Sequence, residues 1–180
     1  MCGHAVALEG LGLVPEARDF LSGAFDLAEY VGDSRVAAQA AVRYVYPVDW
    51  YAGDARAAAL LQRAEAMDLD ESAAVAVKAS RAMVEMRIPI GPSDGQQLAW
   101  ITRASVAQPL AEEALEASDG TLPEARLCAL LAWRTTHRAP AHLQRRREVS
   151  SEALDLAQRL RAPGLQVNAA VMLANDALES

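Results

Sequence analysis

Cysteine, lysine and aromatic side chains are all scarce in this chain, and each shortage excludes something. The two cysteines, Cys2 and Cys128, are too few and too far apart to build a disulfide framework or a thiolate metal site, which fits a reducing cytoplasm. Aromatic residues make up 5% of the sequence against 52% apolar overall, so the core must be assembled from Ala, Leu and Val. That composition suits closely packed helices better than a sandwich of strands. Lys78 is the single lysine among 17 basic residues and stands in mid-helix, so no phosphate-binding loop ending in Gly-Lys-Ser/Thr is present. No apolar run approaches the roughly 20 residues needed to cross a bilayer. The first residues lack the basic-then-apolar pattern of a secretory signal. A formal net charge of −7 argues against direct DNA binding.

What is abundant is helical periodicity with strong punctuation. Pro15 opens a helix in which Phe20, Ala24, Leu27, Ala28 and Val31 share a face, and Gly32-Asp33 ends it and caps the next, which runs to residue 46. Asp54 caps a third helix to about Met67. Asp70-Glu71-Ser72 opens a fourth, whose polar residues Glu71, Lys78, Arg81 and Glu85 form one narrow stripe, as expected of a helix wedged between neighbours. Ser93 or Asp94 starts a fifth that Pro109 is expected to kink or divide. Pro123, Pro140 and Pro163 start three more. The expectation is all-α: eight helices in four hairpins, with residues 1–14 loosely ordered and residues 15–180 a single helical-repeat domain.

The hairpins are copies of one another. Ser22-Gly23-Ala24-Phe25-Asp26-Leu27-Ala28 recurs almost letter for letter as Ser151-Glu152-Ala153-Leu154-Asp155-Leu156-Ala157. Weaker copies centre on Ala64 and Ala114, giving spacings of 40, 50 and 39 between the aligned alanines. The long interval holds the Pro- and Gly-rich segment 88–95. A period in this range means that one unit is copied and stacked, each copy burying its apolar face on the next.

The best-preserved copy, residues 145–178, resembles the tetratricopeptide-like repeats of large actinobacterial transcriptional regulators of the LuxR/MalT type. Ser150, Glu152, Ala153, Leu154, Leu156, Ala157, Arg159 and Leu160 match the helix of that repeat, and Pro163 its turn. Arg161-Ala162 departs from the usual Gly-Asp, which Gly32-Asp33 supplies intact in the first copy. The resemblance implies a TPR-like αα-hairpin superhelix that binds a protein, a peptide or a small effector, as a non-catalytic interaction and sensor module of a transcriptional regulator. The ATPase and DNA-binding motifs of whole regulators are missing from this chain.

No catalytic, cofactor-binding or metal-binding residues stand out. Cys2 would become an N-terminal nucleophile if Met1 were removed, but that chemistry is built on stacked sheets, and no strands follow it here. His137 and His142 do not share a helix face as a metal pair would, and read as a solvated loop. Cys128 reads as a small buried apolar residue.

Two stretches are candidate interaction surface. Tyr44, Tyr46, Trp50 and Tyr51 gather four of the nine aromatics around one hairpin loop. Arg134, Arg138, Arg145, Arg146 and Arg147 form a basic zone suited to an acidic partner; residues 121–180 carry 8 basic and 6 acidic side chains, against 9 and 18 in residues 1–120. A third candidate is an association end. In the final helix Val167, Val171 and Leu178 form an apolar stripe with nothing after it to cover them, so that end is expected either to pack on another copy in a homodimer or to be covered by further repeats of a longer parent protein. The alternative to an interaction module is a small-molecule-binding protein or enzyme with its pocket in the superhelix.

Overall fold

The computed structural model describes residues 4–5, 7–8, 11–46, 55–86 and 96–179, and among these it is all helical, with no strand. Eight α-helices of at least 11 residues follow one another: α1 Val14–Val31, α2 Ser34–Val45, α3 Ala55–Glu65, α4 Glu71–Glu85, α5 Gln96–Glu116, α6 Pro123–Thr136, α7 Leu143–Arg159 and α8 Pro163–Leu178. A short 3-10 turn, Pro140–His142, leads into α7, so Pro140 starts a helical segment that tightens before it becomes α-helix. The segment expected to be loosely ordered is helical at residues 4–5 and 7–8, and Ala5 is buried in the core. No helix among the described residues is long and apolar enough to cross a membrane.

The punctuation works as its chemistry dictates. Gly32 takes a left-handed conformation at φ 76°, and the Asp33 carboxylate accepts a 3.0 Å hydrogen bond from the Val36 amide to cap α2. Asp70 accepts 2.8 Å from Ala73 N in the same role on α4. Pro123 and Pro163 open α6 and α8, where a missing N–H costs nothing. Pro109 does not divide α5. Ala104, Ala107, Ala111 and Ala114 are buried along that helix, and this packing outweighs the proline's cost of about 3 kcal/mol.

Ion pairs and polar contacts reveal how the hairpins stack. Arg81 of α4 meets Glu65 of α3. Along α7 the contacts to α8 run in reverse order, Arg146 to Glu179, Ser150 to Asp176 and the Ala157 carbonyl to Gln166, so these two helices are antiparallel. Arg56 reaches Asp19 and Ser22, and about two turns further along both helices Arg63 reaches Asp26 and Glu29, so α1 and α3 run parallel. Successive helices pack on one another throughout, and the second helices α2, α4 and α6 also pack in a row. α4 touches α2, α3, α5 and α6. Val75, Val77, Ala79, Ala82 and Met83 are buried around most of its circumference, while its polar stripe ties it to Glu65 through Arg81 and to Glu113 through Lys78 at 2.9 Å.

The aligned alanines Ala24, Ala64, Ala114 and Ala153 fall on α1, α3, α5 and α7, the first helix of each hairpin, and all four are buried. The outer copies match in backbone detail. Arg161 takes the left-handed φ of its counterpart Gly32, at 53°. The bond Ala162 N to Ala157 O (3.1 Å) repeats Asp33 N to Ala28 O (2.8 Å) at the same positions of the copy. Repetition of the turn imposes a glycine's conformation on an arginine.

Candidate functional site

The basic zone is built by the end of α6 and the first turns of α7, and most of it is already engaged by the chain itself. Arg134 lies inside, forking onto Asp176 of α8 with Nε at 2.8 Å and Nη2 at 2.7 Å from the two carboxylate oxygens. Arg146, 1% exposed, adds its Nη1 at 3.5 Å from Asp176 and pairs with Glu179 beyond the end of α8. Ser150 donates to Asp176 at 3.2 Å. Arg147 donates twice to the Asp176 carbonyl, at 3.1 and 2.9 Å. Guanidinium groups therefore satisfy the open carbonyl end of α8 and complement its dipole. The fork geometry needs Arg and not Lys, matching the near-absence of lysine.

The sequence offered Arg134 and Arg146 to an outside acidic partner; the acid they meet is on α8, 42 and 30 residues further along the chain. Arg145 is exposed and pairs with its helical neighbour Glu148 at 3.1 Å. Arg138 donates to the Thr135 carbonyl, and desolvation together with the charges of Arg134 and Arg146 pulls its pKa below the usual arginine value. Arg146 holds the Glu179 carboxyl below the ordinary carboxylate range, and Arg145 does the same for Glu148.

Of the aromatic group, Tyr44 is packed into the core, with Arg18 stacked 5.3 Å from its ring centroid. Tyr46 is half-buried and directs its hydroxyl to the Met83 sulfur at 3.9 Å. Trp50 and Tyr51 lie outside the described residues. Val167, Val171 and Leu178 are exposed on α8. The basic zone and α8 meet at Asp176 and Glu179, close in sequence to Leu178.

A cluster that periodicity did not signal lies at the end of α6. His137 is buried, not solvated; its ring stacks on Trp133 at 4.2 Å and its Nε2 stands 3.1 Å from a Glu112 carboxylate oxygen on α5. His142 approaches it edge-on at 5.2 Å. The signal available in the sequence was the i, i+4 spacing of Trp133 and His137 at the end of an otherwise apolar helix. Gln108 of α5 also donates to the Thr136 carbonyl at 3.0 Å, so these contacts fasten α5 to the α6 terminus.

An open groove of about 590 Å³ lies where the α5–α6 turn meets α7, with Ser118, Asp119, Arg126, Glu152 and Arg159 on its walls. Arg126 crosses it, donating to Glu152 at 3.0 Å, Asp119 at 2.7 Å and Ser118 at 2.8 Å. Cys128 is buried, and desolvation pushes its thiol up to about 11, far from a nucleophilic thiolate. Among the described residues no three metal-ligating side chains converge. What the arrangement offers is surface: helix faces held rigidly by internal ion pairs. Neither a protein-family model, nor a curated protein, nor a solved structure matches the chain.

Proposed function

We propose that this chain is a non-catalytic, TPR-like protein-interaction and sensor module of a transcriptional regulator, working in the cytoplasm without cofactor and without contacting DNA itself. The observation that carries the reading is the outer face of α1. Leu27, Tyr30 and Val31 stand at i, i+3 and i+4 with 52%, 88% and 64% of their surface in water. Contiguous apolar surface around an exposed tyrosine is what a docking partner buries. The regulatory assignment rests on the repeat motif from Ser150 to Leu160.

The test is made in the native host. Leu27→Glu with Tyr30→Glu should reproduce the transcript profile of a deletion, and a photo-crosslinker at Tyr30 should capture a protein that one at Asp68 does not. Normal transcription in the double variant, with no specific crosslink, refutes the reading. The alternative, a small effector, is favoured by the groove beside Arg126, whose volume lies within the usual ligand range of about 300–1,000 Å³. A compound whose thermal stabilisation is lost in Arg159→Ala and kept in Tyr30→Glu would favour it.

A further inference from the structure

We propose that the exposed face of α8 docks the same face of a second copy of this chain, in an antiparallel pair about a twofold axis. Copies related by 129 residues make the argument quantitative, because α2 and α8 are the same element in different surroundings. Ala38, Ala41 and Val45 of α2 are buried at 1%, 0% and 3% exposure, and α3 and α4 pack upon that helix. Their counterparts on α8 are Val167, Ala170 and Ala174; all three are exposed, Val167 to 65%. Ala40 and its counterpart Ala169 are buried in both, on the side facing the first helix of their own hairpin. The bare face of α8 is therefore the face that elsewhere in this fold receives another helix, and among the described residues no helix covers it.

Charge and spacing specify which helix. Asp176 is the only ionisable residue of α8, and it is turned inward onto Arg134 and Arg146. None of the exposed residues from Pro163 to Leu178 is charged, so an identical face meets no like charge. Val167, Val171, Ala174 and Leu178 are spaced 4, 3 and 4 residues apart, the 3.5-residue period of paired helices. That spacing is unchanged on reversal. An antiparallel second α8 sets Val167 against Leu178 of the other copy, and Val171 against Ala174, large against small.

The bare face on α1 is a poorer match. Placed after α8 as α3 follows α2, it would bring Glu16, Asp19 and Asp26 toward Glu148 and Asp155 of α7, acid against acid.

Sedimentation equilibrium of the whole chain over roughly 1–200 µM tests this. The wild type should approach twice 19.2 kDa and stop there. Val171→Glu and, separately, Ala174→Arg should weaken association at least tenfold with unchanged helical circular dichroism, while Leu27→Glu leaves it intact. A monomer throughout the range, a mass growing past two chains, or association lost in Leu27→Glu each overturns the twofold pair. Loss of helix in both α8 variants does so as well, since the face would then be interior. The proposal extends the interaction-module reading but is tested at the opposite end of the stack, so either can fail alone.

Discussion

Asp176 concentrates more consequence than any other residue here. It is fully buried, accepts from Arg134 and Ser150, and shares Arg146 with Glu179. Breaking a buried charge cluster by removing one member costs about 3–5 kcal/mol, because the remaining charges stay buried without compensation. Asp176→Ala should lower the unfolding free energy in urea by that much, whereas Arg145→Ala, at an exposed pair, should change it by less than about 0.5 kcal/mol. Exposed carboxylates contribute through pH. Glu29, bonded to Arg63, and Glu179, bonded to Arg146, both have lowered pKa values in the folded chain. A lowered carboxylate pKa stabilises the fold above the unfolded value, near 4.3, and that contribution is lost as pH falls through the folded value. The melting temperature should therefore drop below about pH 4, and Glu29→Gln should flatten part of that drop.

At the scale of elements, the α7–α8 turn carries a conformational cost that the α1–α2 turn avoids. Arg161 holds φ 53° where Gly32 holds 76° in the equivalent turn, and an L-residue pays for the left-handed region. Arg161→Gly should raise stability by up to about 1 kcal/mol, the gain reduced by glycine's extra freedom when unfolded; Gly32→Ala should lower it by about 1 kcal/mol. Denaturant midpoints at unchanged slope check both. The proline in α5 teaches the complementary lesson. Local chemistry says break, but a buried alanine stripe on both sides of Pro109 keeps the helix whole. A sequence gives the cost of the proline but not the packing that offsets it.

Across the whole molecule, position in the stack sets the worth of a side chain. Leu27 and Leu156 are the same residue of the same repeat, yet the first is 52% exposed and the second 6%. α7 has α6 packed against it, whereas among the described residues no comparable helix lies on that side of α1. Leu156→Ala should cost about 2–4 kcal/mol, and Leu27→Ala less than about 0.5, in the same denaturation assay. The reverse holds on the other side of these helices, where Phe25 is fully buried beneath Arg63 of α3 while its counterpart Leu154 is only half-buried.

Helix number, hairpin pairing, the Asp33 and Asp70 caps and the register linking the outer repeats were legible in the sequence, because each depends on neighbours within a few residues or on plain recurrence; the cap expected at Asp54 lies outside the described residues. The candidate site was legible only in part. Arginine spacing marked the basic zone, but Asp176 lies too far along the chain for any local pattern to announce that it neutralises Arg134 and Arg146. His137 read as loop because the turn that folds it onto Trp133 and Glu112 exists only once α5 and α6 are packed. Composition and periodicity thus determined which elements form and which side of each is apolar. Whether a given apolar or charged residue faces water depends on what other helices bring to it from tens of residues away, and only the tertiary structure decides that.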